Sequence, residues 1–316
     1  MRLTPEVAAA LRDARAVVAL ESSVLAQGLP FPANREACDR MLRAVRERGA
    51  VPAITAVARG VPTAGLEGDD LERFLRREGV RKLSARDLGC AIIAGADGAT
   101  TVAAALVLAR EARIEVFATG GIGGVHRWPS FDESADLLEL ARTPAVVVCA
   151  GAKSILDLEA TSERLETLGI PVLGYGTNEL PGFFTRETGI PLSTRVDSPA
   201  EVAAIARAHR GLGLAAAVVV MQPPPADVAL PRQVVDAAVR GARERAEREG
   251  IRGSSVTPFL LAEVERETGG RSLGANLALL EANAGLAAQI AVELCGRGEV
   301  RLPREEGAGG RGGRGP

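Results

Sequence analysis

FATGGIGGVHRWPSFDESADLLELARTPAVVVCAGAKSILD, residues Phe117–Asp157, is the stretch whose reading decides the fold. It opens on the end of an apolar run, IEVFATGG, which reads as a buried strand entering a glycine-rich turn. It continues through an amphipathic segment, SADLLELAR, and reaches a second apolar run, TPAVVVCAGA. Strand, helix and strand in succession, with strands apolar throughout, describe a parallel sheet buried on both faces by helices.

The same alternation extends in both directions. Upstream, AVVAL is a strand ending at Glu21, and VPAITAVARGVPTAGL reads as a β-hairpin with its turn near Arg59 and Gly60. Asn34 is placed to cap the helix REACDRMLRAVRERG, EGDDLERFLRREG reads as a surface helix with solvated charges, and Ser84 is placed to cap a helix with the apolar face GCAIIAG. Downstream, PVLGY and AAAVVVMQPPP are strands, and three helices close the chain, from LPRQVVDAAV, VTPFLLAEV and SLGANLALL. The expected fold is a three-layer α/β/α arrangement with a largely parallel mixed sheet and a hairpin edge. Residues 1–295 are expected to form one catalytic domain. Residues 296–316, ending GAGGRGGRGP, lack the apolar content to fold and are expected to be a disordered tail.

Composition excludes several functions. A formal net charge of −2 provides no field for nucleic acid or an anionic membrane, so any binding of a phosphorylated ligand must come from a local pocket. Charges interrupt what would be a signal core in MRLTPEVAAALRDARAVVAL, and no run approaches the roughly 20 apolar residues that span a bilayer, which points to the cytoplasm. Cys38, Cys90, Cys149 and Cys295 form no CxxC pair and are expected to be reduced, mostly buried thiols.

The chemistry is suggested by what the basic residues are not. Among 38 basic residues, Lys82 and Lys153 are the only lysines; every other one is arginine. Arginine cannot lose its proton, whereas a desolvated lysine can become a neutral amine and attack a carbonyl. Lys153, after VVVCAGA, has the apolar approach such an amine needs. Strand ends in parallel sheets are where ligands bind, so Glu21, Thr119, Gly151 and Gln222 are expected to converge on one cleft with His126, Asp132, Asp136 and Lys153. FDESAD supplies Asp132, Glu133, Ser134 and Asp136, an oxygen-rich group suited to Mg2+ or Mn2+ that also reads as a helix start. Lys82 precedes a helix N-terminus, and the amides of Thr100, Thr101 and Val102 form a second candidate phosphate cradle. Asn276 and Asn283, in an otherwise apolar helix, each need a partner if buried. Two nucleotide motifs are absent. TGGIGGVH has His126 where the last glycine of GxGxxG belongs, and VVVCAGAKS has Val147 and Ala152 in place of both P-loop glycines.

The runs VALESSVLAQGLPFP, DGATTVAAALVLA, VFATGGIGGVHR, FDESADLLELARTPAVVVCAGAKSILDL, GYGTNELPGFFT, TPFLLAEVERETGG and SLGANLALL resemble the pseudouridine-5'-phosphate glycosidase family, over about residues 16 to 295. The resemblance implies a homotrimeric α/β/α enzyme that reversibly splits the C–C glycosidic bond of pseudouridine 5'-phosphate into uracil and ribose 5-phosphate. A divalent ion is implied, usually Mn2+, with Mg2+ or another as the alternative. Carried over by position, Lys153 is the Schiff-base nucleophile, Glu21 the proton donor and Asp132 the metal ligand. Lys82, Val102, Ser134, Ala135 and Asp136 are substrate-binding, with His126, Thr119 and Asn276 near phosphate or base. The chain departs from the family pattern in a shortened run, RWPSF, between His126 and Asp132, and at Ser23, Met221, Gln222 and Ala282; the last two bear on base recognition. The alternatives are another lysine-dependent phosphosugar C-glycoside lyase or synthase with a different nucleophile, and a non-catalytic phosphosugar-binding protein.

Overall fold

A computed structural model of the chain describes residues 1–127, 132–252 and 256–296. Trp128 and Pro129, and the tail from residue 297 onward, lie outside the described residues.

One mixed sheet organises the molecule. Its central path runs β2 (Val17–Leu20), β7 (Val116–Ala118), β8 (Val146–Cys149), β11 (Val218–Met221), β9 (Val172–Tyr175) and β10 (Thr194–Val196), each parallel to its neighbour. On the other side of β2 lies β3 (Val51–Ala58), also parallel to it. The expected hairpin turns β3 back into β4 (Val61–Ala64), and β1 (Arg2–Leu3) finishes the edge. A side branch, β6 (Gly98–Thr100) with β5 (Arg81–Leu83), joins through β3 and brings Lys82 toward the ends of the central strands. All four residues of β2, β8 and β11 are buried, as apolar strands between helical layers must be.

The long last helix, α11 (Arg271–Cys295), packs on β2, β7 and β8 and against α2 (Ala33–Glu47) and α8 (Pro199–Gly211). Contrary to the reading that no run approaches bilayer length, α11 is long and apolar enough to cross a membrane. However, 61% of its most apolar window is buried inside the fold.

Other local expectations are corrected. Asn34 does not cap α2, which starts at Ala33; its buried amide donates to Leu25 O at 2.9 Å and Leu75 O at 2.8 Å. It thereby ties α2 to the turn after β2 and to α3 (Gly68–Arg76). The charges of α3 are not merely solvated. Asp70 receives Arg2 and Arg73, both at 2.6 Å; burial raises its carboxyl, but those bonds outweigh it and hold the group below the usual range. Ser84 closes a capping box with Asp87, but the apolar face after it is open, Ile93 being 90% exposed. Of the cysteines, Cys38 and Cys149 are buried and their thiols pushed up to about 12, chiefly by burial, whereas Cys90 and Cys295 are exposed.

Gly151, just past β8, has φ +91°, and a Cβ there would lie 2.1 Å from Pro181 O. Gly151→Ala is therefore expected to cost about 3 kcal/mol, combining left-handed strain with a backbone collision. Denaturant unfolding checks this, and a loss under about 1 kcal/mol would contradict it.

Candidate active site

The ends of β2, β7, β8 and β11 are neighbours in the sheet, so the residues after them share one rim. The loops leaving β7 and β8 stay side by side past that rim. Ala150 N–H donates to Gly120 O (2.9 Å), Ile122 N–H to Gly151 O (3.1 Å), Lys153 N–H to Ile122 O (3.1 Å) and Asp157 N–H to Val125 O (2.9 Å). This pairing needs the glycines. A Cβ on Gly121 would meet Phe183 and Gly151 O, and one on Gly123 would meet Ser134 and Asp136. The run TGGIGG is thus a packing device that fixes where Lys153 emerges.

Glu21, 6% exposed, accepts the Thr119 hydroxyl on Oε1 at 2.5 Å and the Ser23 hydroxyl on Oε2. Thr119 is itself anchored, because Asn283 on α11 donates to Thr119 O at 2.9 Å and Gly120 O at 3.4 Å. Below Glu21, Ser22 donates to Thr55 O at 2.7 Å and accepts from Thr100 N–H at 2.9 Å, while the Thr55 and Thr100 hydroxyls stand 2.9 Å apart. Two hydroxyls, Ser23 and Thr119, therefore hold the carboxylate, while Ser22, Thr55, Thr100 and the Asn283 amide brace the strand ends that carry them.

Glu21, Ser23, Lys82, Lys153, Gln27 and Asn276 line one cavity of about 60 Å3, with Val24, Phe183 and Leu261 as apolar wall. Lys82 is open at the mouth, yet its ammonium stands in a crowded concavity. Burial and then repulsion from Lys153 hold it below the usual lysine range, partly offset by Glu21 and Asp136. Thr119 is one hydrogen bond from the cavity. His126 lies on a neighbouring one with Arg127 and Ile155; burial lowers its imidazole, Asp132 raises it and Lys153 lowers it, so all three are electrostatic neighbours.

Several predicted residues do other work. Asp136 is buried, accepting Ala103 N–H on Oδ1 at 2.9 Å and Gly123 N–H on Oδ2 at 2.8 Å; it joins α5 (Val102–Glu111) to the glycine loop and leaves the cavity lining to others. Ser134 caps α6 (Ala135–Leu140) by accepting Asp136 N–H, and Ala135 faces solvent. The proposed amide cradle is largely occupied: Thr100 N–H goes to Ser22 and Thr101 N–H to Leu83 O, with Val102 buried beside them. Gln222 does not line the cavity, and its buried Oε1 has no partner. Sequence reasoning missed Gln27, which donates to Val80 O at 3.1 Å and leaves its buried Oε1 unpartnered; it lies in a π-helical turn, Val24–Gly28, that no periodicity announces.

Among the described residues no three His, Cys, Asp or Glu side chains form a metal cage. His126 N–H bonds Asp132 O at 2.9 Å, which keeps the Asp132 carboxylate and the imidazole on one short loop. A carboxylate with an imidazole beside it can serve a mostly water-coordinated divalent ion such as Mn2+.

A family model, Indigoidine synthase A like protein, matches residues 6–293. A pseudouridine-5'-phosphate glycosidase of Gemmatimonas aurantiaca is 64% identical over 93% of this chain and 96% of its own, and one of Herpetosiphon aurantiacus is 52% identical over 92% and 97%. Two solved structures share the fold. The prealnumycin C-glycosynthase in complex with ribulose 5-phosphate has TM-score 0.86, 40% identity and coverage of 93% of this chain and 96% of its own. An indigoidine synthase A-like protein of Thermotoga maritima has TM-score 0.85 and 38% identity over the same shares.

The two aspartates of FDESAD separate experimentally. Asp136→Ala strands two backbone donors and is expected to lose about 3 kcal/mol of stability, whereas Asp132→Ala should lose less than about 1 kcal/mol. Equal losses in urea unfolding would contradict this division.

Proposed function

Because the chain belongs to the indigoidine synthase A like family, and within it to the pseudouridine-5'-phosphate glycosidases, we propose that it reversibly cleaves pseudouridine 5'-phosphate to uracil and ribose 5-phosphate through a Schiff base on Lys153. The observation that carries this reading is the meeting, in one cavity, of the carboxylate Glu21 with both lysines of the chain. A carbon–carbon bond to uracil C5 has no heteroatom leaving group, so acid catalysis alone cannot break it. Ring opening removes the difficulty. Glu21 in its protonated form gives its proton to the ring oxygen, the Ser23 and Thr119 hydroxyls turning to suit, while the Lys153 amine takes C1'. A proton then adds to C5, and the nitrogen lone pair breaks the C1'–C5 bond, whose electron pair restores the C5–C6 double bond of uracil and leaves an iminium on Lys153. Water hydrolyses the iminium, releasing ribose 5-phosphate and returning the amine.

Lys82, with its unneutralised charge at the mouth, supports a role with the phosphate, and Asn276 a role with the polar edge of the base. Mn2+ is proposed at Asp132, next to His126; when bound, such an ion offsets charge on substrate oxygens. The family resemblance further leads us to propose a cytoplasmic homotrimer in which residues 1–295 act as one catalytic unit. A second reading, C-glycoside synthesis on another acceptor, draws on the likeness to the C-glycosynthase, and uracil release separates the two.

Lys153→Arg should abolish uracil release and borohydride trapping of ribose 5-phosphate, with unfolding unchanged; turnover within a few-fold of wild type would end the mechanism. Glu21→Gln should lower kcat by about 10²–10⁴ yet still bind ribose 5-phosphate by calorimetry. Asp132→Ala should flatten the activity response to added Mn2+, an outcome that an unaltered titration would refute.

A further inference from the structure

Beside the reaction cavity lies a larger one of about 530 Å3, for which uracil alone has no use. The two share Gln27, Gly28, Pro258, Leu261 and Asn276, which together form a gate. The inner cavity, about 60 Å3, has room for roughly four or five waters. The five-carbon sugar phosphate bound to Lys153 takes up that space, so the attacking ring has to stand at the gate with its remote edge in the outer chamber. That chamber has the volume of sites for drug-sized ligands; Leu29, Pro30, Phe184, Leu261 and Leu273 give it an apolar side, opposite in character to the charged Arg77, Glu265 and Arg266 that also line it.

We propose that, in the condensation direction, the enzyme accepts carbon nucleophiles larger than uracil, namely uracils bearing an apolar group on N1, and seats that group in the outer chamber. The inference rests on the Schiff-base reading above. Its chemistry is the reverse of cleavage: the Lys153 amine condenses with the C1 aldehyde of ribose 5-phosphate and expels water, and C5 of the substituted uracil adds to the C=N bond. C5 then loses its proton, and the C4 hydroxyl of the sugar displaces the lysine amine to close the ring. The net change is a C–H and a C–OH becoming a C–C bond plus one water. An N1 substituent leaves C5 nucleophilic, because the N1 lone pair still feeds the C5–C6 double bond.

The test incubates the protein with Mn2+, ribose 5-phosphate and either uracil or 1-benzyluracil, following the condensation products by mass spectrometry. Both products are expected. Ala262→Trp, on an exposed position of α10 (Val256–Glu267) that lines the outer chamber, should cut the benzyl product by about tenfold or more while leaving the uracil product within about twofold. Condensation with uracil and none with 1-benzyluracil overturns the proposal and leaves the glycosidase reading standing. Equal benzyl product from wild type and Ala262→Trp overturns it as well, since the substituent then lies elsewhere. No product from either acceptor overturns both. If Ala262→Trp loses both products, Leu273→Trp on α11 is judged by the same criterion, and loss of both there too overturns the proposal.

Discussion

The backbone pairing between the loops that leave β7 and β8 is the constraint on which the rest of the site depends. Two parallel strands ordinarily diverge into separate connections once their ladder ends. Here four N–H donations carry the pairing onward past Gly120, Ile122, Lys153 and Asp157, so the lysine is delivered by something close to a continued sheet and not by a free loop. Rigidity of that kind is what a nucleophile needs, because an amine placed an ångström away loses most of the advantage of proximity. The cost appears in composition: side chains are excluded at Gly121, Gly123 and Gly151, where Phe183, Asp136 and Pro181 close in.

A second constraint concerns Glu21. A buried carboxylate is tolerated only when its oxygens are met, and both are met by hydroxyls, from Ser23 and Thr119. Hydroxyls can donate or accept, so the same partners suit the protonated and ionised forms of the group. An arginine there would lock Glu21 as an anion. This chain places arginines on another buried carboxylate, Glu139, which receives Arg142 at 2.5 Å and Arg110 at 3.3 Å. The contrast between a carboxylate held by guanidinium and one held by hydroxyls separates structural from chemical roles more clearly than burial does, since both groups are buried.

Much of this was legible in the sequence. Apolar runs separated by helical periodicity gave the parallel sheet, ARG before VPTA gave the hairpin, and the scarcity of lysine pointed to Lys153 and Lys82. Asn283 could be marked as needing a partner, because one polar residue inside an apolar helix has to be satisfied. What resisted reading was the direction of individual side chains. Asp136 and Asp132 look alike in FDESAD, yet the carboxylate of one is held by two backbone amides while that of the other acts on the His126 imidazole. Asn34 looked like a cap because its type and spacing suit one, but the chain enters the helix earlier and the amide is used between elements. Gln27 was invisible because a π-helical turn has no sequence period, and the cavity it lines is built from segments far apart in the chain.

The electrostatics of the cavity explain why it is charged in the way it is. Lys82 and Lys153 are close enough that the second depresses the first, and of the nearby carboxylates Asp136 already serves two amides while Glu21 serves two hydroxyls. Among the described residues neither lysine forms an ion pair with a carboxylate, so Lys82 meets an incoming anion without a salt-bridge partner to displace. An anion seated beside Lys82 would oppose both the repulsion from Lys153 and the desolvation, raising Lys82 back toward its ordinary range. Ligand charge and site charge thus complete one another: a phosphate ester stabilises the arrangement that receives it, while a neutral nucleoside leaves the repulsion between the two lysines in place.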